Sequence, residues 1–283
     1  MFLNIKSQLP PGTKLIANWM GWFRGADGKS HAANVCQSDD PRTIRNQVLA
    51  AHAIGIDGFS IDWYGGGVND KAKPTDAATL LLTSACDALG MEYSIMPDKG
   101  MFKGAPNPTT AFNVGIKYIR DKYFPMPGYT KLNGKLLMWE FGWTENKIDI
   151  TAFAKANPDI ALVAQNKVPT GAAGSYAWVN GFAPNSSPLS YMDWYLKRND
   201  PLMIPCLFDG FDDHDPVKTT QSRWGGPARS IPYGQWQVCV DEITKAVAAG
   251  KQFPIVQVCT WNDYDERTQI ESQALALARL RLF

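Results

Sequence analysis

Short apolar runs alternate with amphipathic helical segments along almost the whole chain, and this alternation restricts the fold to parallel βαβ units. The predicted strands are Leu15–Met20, Gly58–Trp63, Glu92–Met96, Lys135–Trp139, Ala161–Ala164, Ser175–Val179, Leu202–Phe208 and Pro254–Thr260. Helices are predicted over Pro41–Ile54, Asp76–Leu89, Thr110–Tyr123, Ile150–Ala156, Leu189–Arg198, Gln235–Ala249 and Ser272–Leu282. Local signals support these boundaries. Asp40 stands where an N-cap is needed, and Ile44, Val48 and Ala51 share one face behind it. Gly90 stops the second helix, and Asn133–Gly134 makes a turn before the fourth strand. The connection between the fifth and sixth strands is too short for a full helix. Eight parallel strands with crossover helices close into an α/β fold of the (β/α)8 TIM-barrel type. An open doubly wound sheet would carry a glycine-rich phosphate loop after an early strand, and G-x-G-x-x-G is absent. Gly65-Gly66-Gly67 has neither the spacing nor the following helix.

A length of 283 residues suits one barrel domain over residues 1–283, and no repeat or linker divides it. The net charge of +1 gives no reason to expect nucleic acid or an acidic membrane surface as partner. No apolar run is long enough to span a bilayer. The opening MFLNIKSQLPPGTK lacks a basic start followed by an apolar stretch, so no signal peptide is expected. The expectation is a soluble chain, either cytoplasmic or released by another route. Cys36, Cys86, Cys206, Cys239 and Cys259 are odd in number and include no C-x-x-C, as buried thiols are. Neither a disulfide framework nor a zinc site is expected.

In a barrel, chemistry collects where the strands end. Asn18, Trp19 and Trp22 mark the first strand and the loop beyond it; Asp62, Trp63 and Tyr64 end the second. Asp98 follows the third, Glu140 ends the fourth, and Trp178 ends the sixth. Asp212 and Asp213 follow the seventh, and Trp261 and Asn262 follow the eighth. Loops are polar in any protein, which accounts for the acids better than for the adjoining tryptophans. Flat C–H faces of sugars stack on aromatic rings, so an aromatic-lined polar cleft suits a carbohydrate.

The most informative segment is WNDYDERTQIE, Trp261–Glu271. Asp263 and Glu266 are three residues apart, which in a turn puts both carboxylates on one side. Neighbouring carboxyls ionise at different pH, so one can act as acid and the other as base. Glycosidic bond cleavage uses such a pair. The same spacing also describes a helix start with Asn262 or Asp263 as cap, and spacing alone leaves both readings open.

WNDYDERTQIE resembles the strand-eight signature W-N-[DE]-[WYF]-x-E-G-T-x-I-E of glycoside hydrolase family 71 and of the family 99-like hydrolases. NWMGWF, GIDGFSIDWYG, NGKLLMWEFG, LFDGFDD and WGGPARSIPYG resemble the same families in the same order along the chain. The resemblance implies a (β/α)8 barrel that hydrolyses internal bonds of α-linked glycans without a cofactor. It assigns Asp263 as base and Glu266 as general acid. In family 99 that base deprotonates the sugar 2-hydroxyl; in an inverting enzyme it or another acid would activate water. From their places at the strand ends, Trp19, Trp22, Asp62, Trp63, Tyr64, Asp98, Glu140, Trp178, Asp212, Asp213, Trp261 and Asn262 are expected to contact substrate. One departure matters: Arg267 stands where the pattern has Gly. A non-Gly residue is strained there if φ is positive, and a guanidinium beside Glu266 would favour its anion. Asp265 stands near enough to pair with Arg267.

FDGFDDHDP, Phe208–Pro216, lacks the spacing of a calcium loop and is read as an active-site loop, with Asp212 and Asp213 on sugar hydroxyls. The long connection carrying Arg223, Trp224 and Arg229 is read as one wall of a cleft for a polymer, which favours endo action. Two alternatives stand beside the hydrolase: a carbohydrate-binding barrel without catalysis, motivated by Arg267, and a phage or bacterial cell-wall lysin.

Overall fold

The computed structural model describes residues 6–23, 37–65, 73–102, 105–179, 188–215, 218, 220–223, 225–272 and 274. Its barrel has eight parallel strands. They are β1 (Lys14–Met20), β2 (Gly58–Trp63), β3 (Glu92–Pro97), β4 (Lys135–Glu140), β5 (Ile160–Gln165) and β6 (Gly174–Tyr176). β7 comes in two pieces, Met203–Ile204 and Cys206–Leu207, and β8 is Ile255–Val258. Each strand pairs in parallel with its neighbour, and β8 pairs with β1 from Lys14↔Ile255 to Ala17↔Val258. Closure depends on Pro205. Before it, Met203 and Ile204 register with Ser175 and Tyr176 of β6; after it, Cys206 and Leu207 register with Gln257 and Val258 of β8. Proline has no N–H to give a ladder, so the strand changes partner there. The (β/α)8 expectation holds.

The helical layer is α1 (Pro41–Ala53), α2 (Lys73–Leu89), α3 (Pro108–Lys122), α4 (Ile150–Ala156), α5 (Pro188–Leu196) and α6 (Trp236–Ala248). Asp40 caps α1 by accepting from the N–H groups of Arg42 and Thr43, and Asn107 and Asp149 cap α3 and α4 in the same way. Ile44, Val48 and Ala51 are buried, as their spacing predicts. α2 begins earlier than its expected start at Asp76. That residue is not a cap; its carboxylate accepts from Trp63 Nε1 at 3.0 Å, from the hydroxyls of Tyr118 and Tyr123, and from Lys122 Nζ. Burial opposes its charge, but these donors leave it below the ordinary carboxylate range.

Other departures have local causes. β6 ends before Val179, where the Trp178 N–H donates to the Tyr191 hydroxyl of α5 at 3.0 Å instead of to a neighbouring strand. Within the connection after β7, Phe211–Asp212 pairs antiparallel with Ser230–Ile231. Most of the expected last helix, Ser272–Leu282, lies outside the described residues, as does Cys36. Cys86, Cys206, Cys239 and Cys259 are buried free thiols. No helix among the described residues is long and apolar enough to cross a membrane.

Gly174 shows how tightly the strands meet. A Cβ there would lie 2.1 Å from the Leu202 carbonyl oxygen, a backbone atom that cannot yield without disturbing β7. Gly174→Ala is expected to cost about 1–3 kcal/mol in a urea melt, as overpacking does; an unchanged midpoint would contradict this packing.

Candidate active site

The segment from Thr260 to Glu271 leaves β8 and folds back on itself. Thr260 N–H donates to Thr268 O, and the Ile270 and Glu271 N–H groups donate to Trp261 O. The hydroxyls of Thr260 and Thr268 meet at 2.9 Å, and the Cys259–Thr260 peptide bond is cis. Side chains then tie the loop to the barrel wall. Asn262 accepts from Met20 N–H at 2.8 Å and donates to Met20 O at 2.9 Å. Glu271 accepts from Gln47 of α1 and from the Tyr264 hydroxyl, and the same Gln47 accepts from Trp19 Nε1. Buried polar groups need such partners, and this chain of bonds selects one loop conformation.

Asp263 sits inside that loop. Its Oδ1 accepts the N–H groups of Asp265 at 2.9 Å and Glu266 at 3.0 Å, closing the turn that carries Glu266. A capping role and a place beside Glu266 therefore coexist. Asp263 is 2% exposed, and Asp62 and Asp98 are 4% exposed each, while Glu266 is half-buried. These four acids come from the ends of β2, β3 and β8. Asp62 feels the charges of Asp98, Asp263 and Glu266, and the Tyr64 hydroxyl bonds to Asp62 and Asp98. Burial, then the charge of Asp98, drives Asp62 well above the ordinary carboxylate range. Burial likewise pushes Asp98 up to about 7 and Asp263 up to about 7, against backbone N–H bonds that favour their anions. Asp62 Oδ1 is buried without a hydrogen-bond partner among the described residues.

The cations nearest these acids are committed elsewhere. Arg223 pairs with Asp265 at 2.8 Å, and Lys99 pairs with Glu145 at 2.8 Å. Arg267 has φ +53, a left-handed region that a glycine would occupy without strain, and its guanidinium pairs with Asp212. Asp265, a candidate partner for Arg267, pairs with Arg223.

Several residues expected to touch substrate are placed elsewhere. Trp19 and Trp63 are fully buried against the helices, on Gln47 and Asp76, because alternate residues of a strand face opposite sides. Trp261 is fully buried edge-on to Phe59, and Asn262 is spent on Met20. Asp213 has no exposed surface; it accepts from Ser222 and Arg229 and locks the arm after β7. Glu140 is buried and accepts the N–H groups of Trp143 and Gln165, and burial raises its pKa. Trp178 is buried against Phe141 and Tyr176. Asp212 lies outside the acid cluster, between Arg267 and His214. Trp22 stays half-buried, edge-on to Tyr64 at 5.1 Å. Trp224 lies outside the described residues. Gln47, Tyr264 and Glu271 position the loop; Tyr264 and Glu271 belong to the WNDYDERTQIE segment, while the only sequence signal at Gln47 is a polar residue on an apolar helix face.

No protein-family model matches the chain, and no curated protein matches it by sequence. Solved structures do. A GH99 endo-alpha-mannosidase from Bacteroides thetaiotaomicron, in complex with bis-tris-propane, superposes with TM-score 0.62 at 17% identity, covering 91% of this chain and 86% of that one. A second structure of a GH99 endo-alpha-mannosidase from the same organism gives 0.61 at 18%, covering 91% and 87%. The chain has the fold of a family 99 barrel. A protein described as glycoside hydrolase-like gives 0.63 at 12%, covering 95% and 93%. Likeness to family 71 rests on the motifs alone.

Two outcomes follow from the electrostatics and the backbone. An acid with a raised folded pKa binds more protons folded than unfolded, so stability declines as pH climbs from about 4 to about 7. Asp98→Asn is therefore expected to stabilise the protein in urea melts at pH about 8, and by less at pH about 4.5; equal shifts at both would refute the raised pKa. Arg267→Gly removes a strained αL residue worth about 1 kcal/mol and an exposed ion pair worth about 0–1 kcal/mol. Its melt should shift by no more than about 1 kcal/mol, towards stability.

Proposed function

We propose that the chain is a glycoside hydrolase acting within an α-linked polysaccharide, with Asp263 as base and Glu266 as general acid. The observation that carries this reading is the convergence of Asp263 and Glu266 with Asp62, Asp98 and Tyr64 where β2, β3 and β8 end. That is where barrel enzymes build their sites. The neighbours' description as an endo-alpha-mannosidase supports the reaction class and the α-linkage.

The chemistry asks each acid for one proton transfer. Glu266 gives a proton to the glycosidic oxygen as the bond to the anomeric carbon breaks. Asp263 takes one from the attacking group, a sugar hydroxyl or a water. A base works best when its pKa lies near the working pH, and burial brings Asp263 to about 7. Asp263 Oδ1 holds the N–H of Glu266, so acid and base move as one unit. The guanidinium that stands where the resembled pattern has glycine is paired with Asp212. Asp62, Asp98 and Tyr64 supply hydrogen bonds for sugar hydroxyls, and Trp22 a partly open ring. Asp212 stands at the outer edge of the site.

Glu266→Gln is expected to lower kcat by roughly 100-fold or more, on the scale of losing a general acid, while still binding glycan. The assay is reducing-end release from α-mannan, α-1,3-glucan and peptidoglycan. Release only from peptidoglycan would favour a lysin; binding without release by the wild type would make the chain a non-catalytic barrel. In the wild type, kcat/KM should fall on the acid side as Asp263 gains its proton near pH about 7.

A further inference from the structure

Among the described residues, two large aromatic side chains stand out on the surface, and their surroundings differ. Trp194 is 48% exposed, but Tyr191 stacks on it at 5.9 Å and Arg198 lies over it at 5.2 Å, so its faces are taken. Tyr233 is 57% exposed, in the connection after β7. Isolated exposed aromatics are common and need no explanation. Tyr233 is distinguished by how it is held and where.

Its hydroxyl donates to the Arg267 carbonyl at 3.1 Å, and Arg267 directly follows Glu266. Its ring lies across Gly210: a Cβ there would fall 2.6 Å from Tyr233 Cδ1 and 3.0 Å from Cε1 and Cγ. Only glycine lets the ring settle on that backbone. The turn after Tyr233 is pinned as well, with Gly234 N–H on Asp209 Oδ1 at 3.2 Å and Gln235 N–H on Asp209 O at 2.9 Å. Asp212 N–H bonds to Glu266 O at 2.9 Å, joining this arm to the acid's own backbone. Among the described residues, no other ring or cation lies over Tyr233. A rigid ring with one supported side costs little entropy to present, and its apolar face suits the C–H face of a pyranose.

We infer that Tyr233, seated on Gly210 and latched to the Arg267 carbonyl, is the platform of an outer subsite that stacks a sugar unit of a polymeric substrate beyond the bond being cleaved. The inference rests on the hydrolase reading for the words "bond being cleaved", but not for glycan binding itself. It specifies a substrate longer than the unit held by the acids, and so an endo mode of attack.

The test uses α-mannan and α-1,3-glucan oligosaccharides graded by length, with wild type, Tyr233→Ala, Tyr233→Phe and Gly210→Ala. Calorimetric binding is measured in each and in a Glu266→Gln background; kcat/KM is measured where cleavage occurs. Tyr233→Ala should weaken binding and kcat/KM by about tenfold for long chains, the scale of truncating one aromatic anchor, with the loss smallest for the shortest chain bound. Tyr233→Phe keeps the ring and should lose less. Gly210→Ala keeps the tyrosine but displaces it, and should reproduce the length-dependent loss. Equal losses at every length, with a lowered melting midpoint, would make Tyr233 a structural latch only and overturn the inference. So would wild-type binding that does not rise with chain length, or no binding to any probe. If the wild type binds long chains through Tyr233 yet releases no reducing ends, the subsite stands and the hydrolase reading falls.

Discussion

The loop after β8 is held by hydrogen bonds that reach back to the first strand and the first helix, and the rest of the site is placed relative to it. Asn262 grips both backbone groups of Met20, while Glu271 is bound through Gln47 to Trp19. The Asn262–Met20 and Gln47–Glu271 bonds join residues more than two hundred positions apart, across the seam where the barrel closes. With the loop so held, Asp263 can close the turn that presents Glu266. Losing one such partner leaves another buried group unsatisfied, a cost comparable to a large share of a domain's net stability.

The same geometry gathers acids that repel one another. Asp62, Asp98 and Asp263 are nearly buried, and burial holds their protons on to higher pH, aided for Asp62 by the charges of Asp98, Asp263 and Glu266. Lys99 and Arg223 offset only part of this for Asp98 and Asp263, and Arg223, Lys99 and Arg267 each pair with a carboxylate outside the cluster. Stability is given up in exchange for groups whose protons can move near neutral pH, a trade found where structure serves chemistry. Arg267 illustrates it in the backbone: a strained conformation is kept, and Asp212 turns its charge aside.

The sequence displayed the barrel more clearly than the site. Strands such as Gly58–Trp63 and Ile255–Val258 are apolar runs bounded by turn residues, and caps such as Asp40 are local signals. Nearness of Asp263 and Glu266 was legible too, since a turn enforces it over three residues. Trp19 and Trp63 were misplaced for one physical reason. Position at a strand end says nothing about which side a residue faces until register and twist are known, and Trp19 and Trp63 turned out to face the helices. Tyr233 was passed over because nothing local marks a ring that rests on a glycine far earlier in the chain.

Interactions that span a few residues were thus determined by sequence alone: the alternation of strand and helix, the helix caps, the Asn133–Gly134 turn and the Asp263–Glu266 spacing. Tertiary structure decided the meeting of Asp62, Asp98 and Asp263, the pairing of Arg267 with Asp212 and the seating of Tyr233 on Gly210. The reason is range. Local hydrogen bonds and side-chain spacing act along the chain, whereas burial and Coulomb coupling depend on which strands become neighbours when the barrel closes.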